Sequence, residues 1–249
     1  MLRNFTYPAL VLRARSVGES HREAWFLTPK EGILKATVFG GPKSRLRSQV
    51  APFHQGTLWL YHDPVRDTRK VTDFDVQNWR PGIREQYERT KTGSSILETL
   101  LASHAGGGTW QEALRLTEQA LDALASAEAG CCARILAHFL WNWLDILGLG
   151  QDVFHCGVCG RESLEELFFN QYEGILGCPF CAKDSEDARI GLGARRWLAL
   201  AEGLPPDQLF RFTLDESSLT QVKTLTTGLM AIALGRRLES WDTSGSPWA

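Results

Sequence analysis

The sequence lacks the features that would assign it at once to a membrane, to secretion or to a disulfide-bonded scaffold. It has no run of about eighteen apolar residues, so we predict no transmembrane helix. Residues 1–19 hold only a short apolar stretch, interrupted by charge and without a small-residue cleavage site, unlike a signal peptide. Six cysteines in 249 residues are too few for a secreted disulfide scaffold. We therefore expect a cytoplasmic protein.

The common sequence motifs of enzymes are also missing. There is no phosphate-binding G-x-x-x-x-G-K-[ST], no nucleophile elbow G-x-S-x-G and no dinucleotide-binding G-x-G-x-x-G after a strand. We therefore predict that the protein is not an enzyme. One enzymatic alternative stays open, because Asp73 and Asp75 alternate along a predicted strand. Both carboxylates then face one side, where they could hold Mg²⁺ for a metal-dependent nuclease.

The spacing of apolar residues divides the chain into two regions. Between Pro8 and Val76, five short stretches with strand-like alternation are separated by turn residues, which predicts a small β-barrel rather than a βαβ unit. After Pro81 the apolar residues recur with helical spacing. We therefore predict an α+β multidomain protein, with an N-terminal β-barrel over residues 1–80 and a helical domain over residues 81–249.

Several helices of the second region have predicted boundaries. Ser94 or Ser95 is the predicted N-cap of a helix that runs to residue 105. Residues 131–150 are apolar on nearly every helical face, which predicts a buried helix. Residues 187–203 are predicted to form one further helix.

Four cysteines form two Cys-x-x-Cys pairs. Cys156 and Cys159 are separated by eighteen residues from Cys178 and Cys181, a spacing typical of two turns that share one tetrahedral zinc ion. Four thiolates fill the coordination shell, so we predict one structural Zn²⁺ in a zinc finger inserted at residues 153–184. His155 is a possible substitute ligand, although four cysteines make it unnecessary. A thioredoxin-type dithiol is the alternative, but it needs a single pair in a βαβ setting.

Charge is distributed unevenly along the chain. Residues 1–80 carry 13 Lys and Arg against 7 Asp and Glu, whereas the remainder carries 14 against 22. Small barrels bind single-stranded nucleic acid by pairing cations with phosphates and by stacking bases on aromatic side chains. The predicted DNA-binding cations are Arg13, Arg15, Lys30, Lys35, Lys43, Arg45 and Arg47. An alternative is that these charges only keep the surface hydrated.

Aromatic residues of the basic region are predicted stacking platforms. They are Trp25, Phe39, Trp59 and Tyr61. Alternation along the strands buries one side of each strand, so at least half of these aromatic side chains are predicted to lie in the barrel core.

Two stretches of the chain resemble one known family. The first is "ALVLRARSVGESHREAWFLTPKEGILKATVFGGPKSRLRSQVAPF", with a Leu-Thr-x-x-x-Gly turn at residues 27–32 and a basic Gly-x-x-Lys-Ser-Arg-Leu loop before Pro52 and Phe53. The second is an apolar helix followed by both cysteine pairs, "RILAHFLWNWLDILGLGQDVFHCGVCG…GILGCPFC". In this order they resemble the RecO family of bacterial recombination mediators, in its zinc-bearing form.

The resemblance implies an OB-fold barrel, a helical domain and an embedded zinc finger. It also implies a DNA repair protein in the bacterial cytoplasm, associated with the nucleoid and without a membrane partner. Such a mediator binds single- and double-stranded DNA, anneals complementary strands and helps to load RecA onto SSB-coated DNA. The implied partners are RecR, the C-terminal tail of SSB and, indirectly, RecA. A zinc-ribbon protein that binds RNA or assists transcription is the alternative.

The SSB tail implied by this resemblance is short and acidic and ends in an apolar residue with a free carboxylate. It therefore needs an apolar pocket with a cation at the rim. Two basic pairs in the acidic helical region suit this role, Arg195 with Arg196 and Arg236 with Arg237. We predict that one of the two pairs carries tail binding. The second pair has an alternative interpretation, because cations near a helix C-terminus complement the helix dipole.

Overall fold

The computed structural model of the chain describes residues 3–18, 21–41, 44–163, 166–182, 187–209, 211–242 and 248. Its first strands are β1 (Asn4–Val17), β2 (His21–Thr28), β3 (Gly32–Phe39), β4 (Gln55–Asp63) and β5 (Thr68–Asn78). They close into a barrel in the order β1-β2-β3-β5-β4, in which β3 and β5 are parallel. A short helix, α1 (Arg45–Gln49), lies between β3 and β4. This is a five-stranded barrel of the OB type, and the predicted fold class is confirmed.

The barrel has two apolar surfaces, one enclosed and one covered by helices. Its interior cluster is Tyr7, Ala9, Val11, Ala24, Phe26, Leu34, Ala36, Val38, Val50, Leu58, Leu60, Val71 and Phe74. On the outside of the same strands, Leu10, Leu12 and Leu27 are buried in the core of the helical region. Alternating side chains on β1 and β2 therefore join the barrel to the rest of the molecule.

The second region is mainly helical. Its helices are α2 (Gly82–Glu85), α3 (Tyr87–Ala102), α4 (Trp110–Ser126), α5 (Cys132–Ile146), α6 (Leu192–Gly203), α7 (Pro206–Leu209), α8 (Glu216–Leu234) and α9 (Glu239–Asp242). The central helix is α5, which packs against α3, α4, α6 and α8. Its Phe139 and Trp143 side chains are fully buried and stack 5.5 Å apart. In the described part of the chain, no helix combines the length and the apolar character needed to cross a membrane.

The chain forms a small antiparallel sheet after α5 and before α6. Its strands are β6 (Glu166–Asn170), β7 (Ile175–Gly177) and β8 (Ala188–Gly191), in the order β7-β6-β8. The prediction of one helix over residues 187–203 is therefore wrong at its beginning, because β8 precedes α6. Ile190 is fully buried and pairs with Leu167 of β6. Pairing with a strand that is distant in sequence outweighs the local helical pattern.

Helix α3 begins about two turns before the predicted N-cap. Ser94 and Ser95 both lie inside the helix, so the predicted cap is wrong. Ser94 Oγ donates to the carbonyl oxygen of Thr90 at 2.8 Å. Ser95 Oγ accepts a hydrogen bond from Trp241 Nε1 at 3.0 Å. The two hydroxyls are satisfied inside the helix, and Ser95 fastens α9 to α3.

Arg80 fixes the barrel against the helical region. Its side chain is only 1% exposed, and its Nε donates to Asp122 Oδ1 of α4 at 2.6 Å. Its Nη1 and Nη2 atoms donate to the Phe53 carbonyl oxygen at 2.9 Å and to Gln55 Oε1 at 2.7 Å. A buried guanidinium with three such acceptors favours one arrangement of its neighbours. The exposed surface of the barrel therefore has a defined position relative to the helices.

Candidate metal centre and nucleic-acid interface

The four cysteines of the two Cys-x-x-Cys pairs lie together beside the small sheet. The sulfur atoms of Cys156, Cys159, Cys178 and Cys181 all lie within 4.8 Å of one another. Cys159 Sγ and Cys178 Sγ are 3.9 Å apart. This agrees with the edge of about 3.8 Å in a tetrahedron whose metal–sulfur bonds are about 2.3 Å long. The four side chains can therefore hold one metal ion.

The backbone around the cysteines stabilises a negatively charged sulfur. The amide groups of Cys159 and Cys178 donate to Cys156 Sγ at 3.5 and 3.2 Å. Burial of Cys156 acts to raise the pKa of its thiol, but the amide donors outweigh burial and lower the pKa to about 6. The neighbouring sulfurs of Cys159 and Cys178 raise the pKa of Cys181 to about 12. A cation bound between the sulfurs would favour the deprotonated form of Cys181.

Four sulfur ligands close the coordination shell and leave no position for water or substrate. His155 is not a fifth candidate, because its Nδ1 atom lies 2.8 Å from Asp152 Oδ2 and outside the sulfur cluster. Within the described ranges, the four cysteines are the one group of three or more potential ligands close enough to share an ion. Asp73 and Asp75 are exposed on β5 without a third ligand among those residues. The magnesium alternative therefore gains no support.

A β-bulge places two arginines of β1 on the outside of the barrel. Val11 points into the barrel, and strict alternation would send Arg13 and Arg15 to the same inner side. The register of β1 against β2 shifts between Val11 and Arg13, which leaves Leu12 as an extra residue. Both arginines are consequently exposed.

Cross-strand pairing arranges exposed side chains of β1, β2, β3 and β5 in three rows. The rows are Arg13–Trp25–Lys35, then Arg15–Glu23–Thr37–Lys70, then Val17–His21–Phe39. Together these residues form the outer face. Successive rows are about 6.8 Å apart, which is the rise of two residues in a strand. The outer face carries four Lys and Arg residues and one carboxylate.

Trp25 lies in the first row of the outer face and is surrounded by cations. Part of its ring packs against the helical core. The guanidinium carbons of Arg13 and Arg15 lie 5.7 and 5.2 Å from the ring centroid, and Lys35 Nζ lies 5.4 Å from it. These distances are within the range of cation–π attraction. The structure thus combines an aromatic surface with three positive charges.

Glu23 bridges two of the cations that surround Trp25. Its Oε2 atom lies 2.6 Å from Arg15 Nη2, and its Oε1 atom lies 2.5 Å from Lys35 Nζ. Hydrogen bonds from Lys35 and Arg15 hold the pKa of this carboxyl below its ordinary value. Glu23 is therefore ionised at neutral pH and offsets part of the positive charge.

A second aromatic group lies at the far end of the outer face. Phe39 is 42% exposed, and the ring of His21 meets it edge-on at 4.6 Å. Lys70 Nζ lies 5.2 Å from the Phe39 centroid. Lys70 was not predicted as a binding residue, because the parallel pairing of β3 with β5 that brings it there has no local sequence signal. Alternation along β5 could at most have indicated that Lys70 points out of the barrel. It could not have indicated that Lys70 lies beside Phe39.

Three of the seven predicted DNA-binding cations lie on the outer face, and Lys30, Arg45 and Arg47 lie elsewhere. Lys30 is exposed in the turn between β2 and β3. Arg45 is exposed and Arg47 is half-buried, and both belong to α1 rather than to an extended loop. Lys43 lies outside the described residues. The structure therefore brings Arg13, Arg15 and Lys35 together around Trp25, and the DNA-binding role of all seven cations stays a prediction.

The prediction that at least half of the four aromatic platforms are core residues is wrong. Trp25, Phe39, Trp59 and Tyr61 are all partly or well exposed, and none belongs to the interior cluster. On β4 the inward positions are taken by Leu58 and Leu60, so the alternating aromatic residues point outward. Phe26 and Phe74 supply the aromatic part of the interior instead, with ring centroids 5.9 Å apart.

Comparison with known proteins identifies the family. A family model described as Recombination protein O N terminal matches residues 1–77, and one described as Recombination protein O C terminal matches residues 84–242. The chain belongs to the RecO family. The interval between the two matches contains the end of β5 and the beginning of α2, so the RecO family regions correspond to the barrel and to the helical region.

Several bacteria have similar proteins that are named DNA repair protein RecO. The protein of Heliobacterium modesticaldum is 25% identical over an alignment of 254 positions, which covers 97% of this chain and 89% of the relative. That of Desulfitobacterium hafniense (strain DSM 10664 / DCB-2) is 24% identical over 244 residues, with coverages of 94% and 86%. That of a Nocardioides species is 28% identical over 183 residues, with coverages of 70% and 72%. Similarity to the first two RecO proteins extends along nearly the whole chain.

In this RecO chain, Arg195 anchors the cysteine segment to α6. It has no exposed surface, and its Nε atom donates to the Val153 carbonyl oxygen at 2.5 Å. Its Nη2 atom donates to the Ser163 carbonyl oxygen at 2.5 Å. These two carbonyls flank the first cysteine pair. The prediction that Arg195 is a cation at the rim of a peptide site is therefore wrong, whereas Arg196 beside it is exposed.

Arg195→Ala is expected to lower the free energy of unfolding by about 2–4 kcal/mol, because two carbonyl oxygens lose their donor and a cavity remains. The matched control is Arg196→Ala on the exposed side of the same helix, for which we expect a change below about 0.5 kcal/mol. Urea unfolding followed by tryptophan fluorescence measures both variants. Equal midpoints for the two would show that Arg195 does not anchor the segment.

The second basic pair predicted for the RecO helical region borders a cavity. The cavity has a volume of about 680 Å³ and lies beside the C-terminal half of α8. Arg236, Arg237 and Lys223 line it together with the apolar side chain of Ile232. Gly235 ends α8 in the left-handed conformation, with φ of 65°, and the arginine pair follows this turn. An apolar wall and three cations therefore border one cavity.

Proposed function

We propose that this RecO family chain binds DNA through the outer face. The observation that supports the proposal is Trp25 with three cations around it on a barrel of the OB type. Barrels of this type follow the phosphates with cations and stack bases on aromatic side chains. Arg13, Arg15 and Lys35 pair with phosphates, and Trp25 stacks on a base. Phe39 and Lys70 extend the same surface by two rows.

We further propose that the chain is a recombination mediator of the kind that the family resemblance implies. It binds single- and double-stranded DNA, anneals complementary strands and, with RecR, helps to load RecA onto SSB-coated DNA. We place this activity in the bacterial cytoplasm, at the nucleoid. These steps need binding and release and no covalent chemistry, so the proposed function is not enzymatic.

We propose that the four cysteines hold one Zn²⁺ as a structural ion. Soft thiolate ligands in a tetrahedral arrangement are typical of zinc. The two cysteine pairs belong to different ends of the segment, and Gly157 N–H already donates to the Leu176 carbonyl oxygen at 2.8 Å. The bound ion cross-links the two ends and contributes folding free energy to a segment with a small apolar core.

We propose that the acidic C-terminal tail of SSB binds in the cavity beside α8. The predicted tail needs cations for its carboxylates and an apolar surface for its last residue. Arg236 and Arg237 supply charge at one side of the cavity, and Ile232 supplies apolar surface. The exposed Arg196 is the remaining member of the other predicted pair.

Arg236→Ala/Arg237→Ala is expected to weaken binding of a labelled SSB-tail peptide by roughly tenfold or more, which corresponds to about 1.4 kcal/mol. The reason is the loss of two positive charges beside the peptide carboxylates. Fluorescence anisotropy measures the affinity, and binding of single-stranded DNA by the same variant should be retained. Arg196→Ala is the control. An unchanged affinity in the double variant would remove the tail from this cavity.

The alternative to the proposed DNA-binding function is RNA binding by a zinc-ribbon protein. Titration with DNA and RNA oligonucleotides of one sequence and length, at one fixed salt concentration, distinguishes the two. We expect DNA to bind at least as tightly as RNA. A clear preference for RNA would favour the zinc-ribbon RNA-binding function instead.

A further inference from the structure

Glu23 is the one carboxylate on the outer face, and it is placed between two cations. Arg15 lies directly opposite Glu23 in the strand register, and Lys35 is its diagonal neighbour on β3. The Glu23 side chain is 20% exposed, whereas those of Arg15 and Lys35 are 53% and 50% exposed. Its two oxygen atoms therefore occupy the space in which an anionic ligand would meet both cations.

We propose that Glu23 holds the place of a nucleic-acid phosphate between Arg15 and Lys35 and thereby selects strands over single anions. The inference rests on the proposed function, since it concerns how the outer face accepts its ligand. A carboxylate and a phosphate both present two anionic oxygens that can accept from two donors at once. In the free protein Glu23 fills this role, and a phosphate of the bound strand displaces it.

The position of Trp25 couples this displacement to base stacking. Glu23 and Trp25 are two residues apart on β2, so their side chains share one face about 6.8 Å apart. A phosphate that replaces the Glu23 carboxylate lies beside the indole, where the adjoining base can stack. Arg13, on the other side of Trp25, then meets a further phosphate. A strand makes all of these contacts, whereas an isolated anion makes one.

Selectivity follows from the competition between a tethered and a free anion. A tethered group competes at an effective concentration on the order of millimolar, so Glu23 is displaced poorly by a single phosphate. Displacing Glu23 costs the same free energy for any anion, but a strand keeps its stacking on Trp25 and its contact with Arg13 even while Glu23 stays in place. Glu23 therefore lowers the affinity for every anion and lowers it least for a strand.

Glu23→Gln is the test, with a fluorescent thymidine oligonucleotide and inorganic phosphate as the two probes. In this variant the charge of Glu23 no longer offsets one of the two cations that it bridges, so one more positive charge is available to the phosphates of the strand. The slope of log affinity against log salt should therefore steepen by about 0.7. At about 0.1 M salt this corresponds to roughly fivefold tighter binding of the oligonucleotide. Inorganic phosphate should compete with the oligonucleotide more strongly in the variant than in the unmodified protein.

Two controls separate the proposal from a general charge effect. Glu31→Gln removes the same charge from the exposed turn between β2 and β3 of the same barrel and should change the affinity by less than about twofold. Adding Glu23→Gln to Arg15→Ala/Lys35→Ala should also give less than about a twofold gain, because the cations that Glu23 bridges are gone.

The outcomes distinguish this proposal from the function on which it rests. Equal or weaker oligonucleotide binding by Glu23→Gln, with binding retained by the unmodified protein, would overturn the proposal and leave Glu23 as a group that orients the cations. An equal gain in Glu31→Gln would overturn it as well. Failure of the unmodified protein to bind the oligonucleotide would overturn the proposed DNA function itself, and the role of Glu23 with it.

Discussion

Replacing Arg13, Arg15 and Lys35 together with alanine is expected to lower the affinity for single-stranded DNA by roughly 100-fold at about 0.1 M salt. Each phosphate neutralised on a single strand contributes about 0.7 to the slope of log affinity against log salt. Loss of three such contacts should reduce the magnitude of the slope by about 2. Titrations of a labelled oligonucleotide at several salt concentrations give both quantities.

Two other sets of variants test where the effect arises. The triple substitution of Lys43, Arg45 and Arg47 removes the same number of charges, and we expect a smaller loss from it because Arg45 and Arg47 lie on α1 and not beside Trp25. Arg115→Ala/Arg211→Ala removes two exposed cations from the helical region and should leave the affinity nearly unchanged. If the Arg13, Arg15 and Lys35 variant had no effect and the Lys43, Arg45 and Arg47 variant flattened the slope, DNA would bind through the second group of cations and not on the outer face.

Replacing Cys156 by serine is expected to abolish stoichiometric metal binding and to reduce the yield of folded protein severely. Cys156 is buried, and its sulfur accepts amide hydrogen bonds from both cysteine pairs. Structural zinc sites in small finger peptides contribute about 10–16 kcal/mol of apparent binding free energy at neutral pH. With the zinc ion proposed above, loss of one ligand forfeits much of this contribution, and the two ends of the cysteine segment lose their cross-link.

The measurement for Cys156→Ser is metal analysis of the purified protein, together with thermal unfolding. We expect one zinc per chain in the unmodified protein. Cys131→Ser is the matched control, because Cys131 lies outside the sulfur cluster and is only partly buried. Its metal content should remain at one per chain. Folded, unmodified protein that contains no zinc would contradict the assignment of the metal.

The barrel could be predicted from the sequence, because alternation and turn residues are local signals. The positions of the β-bulges could not. Val71 and Phe74 are both buried in the interior, although strict alternation would place them on opposite sides. The register of β4 against β5 shifts at this point. Bulges of this kind are determined by closure of the barrel, and closure depends on strands that are distant in sequence.

The clustering of the four cysteines could be predicted because the spacing of the two Cys-x-x-Cys pairs is specific. The role of Arg195 could not, because its burial depends on carbonyl groups more than thirty residues earlier in the chain. The local sequence, Arg195 and Arg196 beside Trp197, does not indicate which arginine is exposed and which is buried. Their positions on α6 differ by one residue, which buries Arg195 and exposes Arg196.

The central proposal is that the outer face of the barrel binds DNA during strand annealing by a recombination mediator. Its most direct test is the annealing rate of complementary DNA strands coated with the SSB of the same organism, followed by fluorescence. We expect the unmodified protein to accelerate annealing well above the rate with SSB alone. We expect no such acceleration from the Arg13, Arg15 and Lys35 triple variant. Equal rates for the two proteins, or no acceleration by the unmodified protein, would contradict the claim.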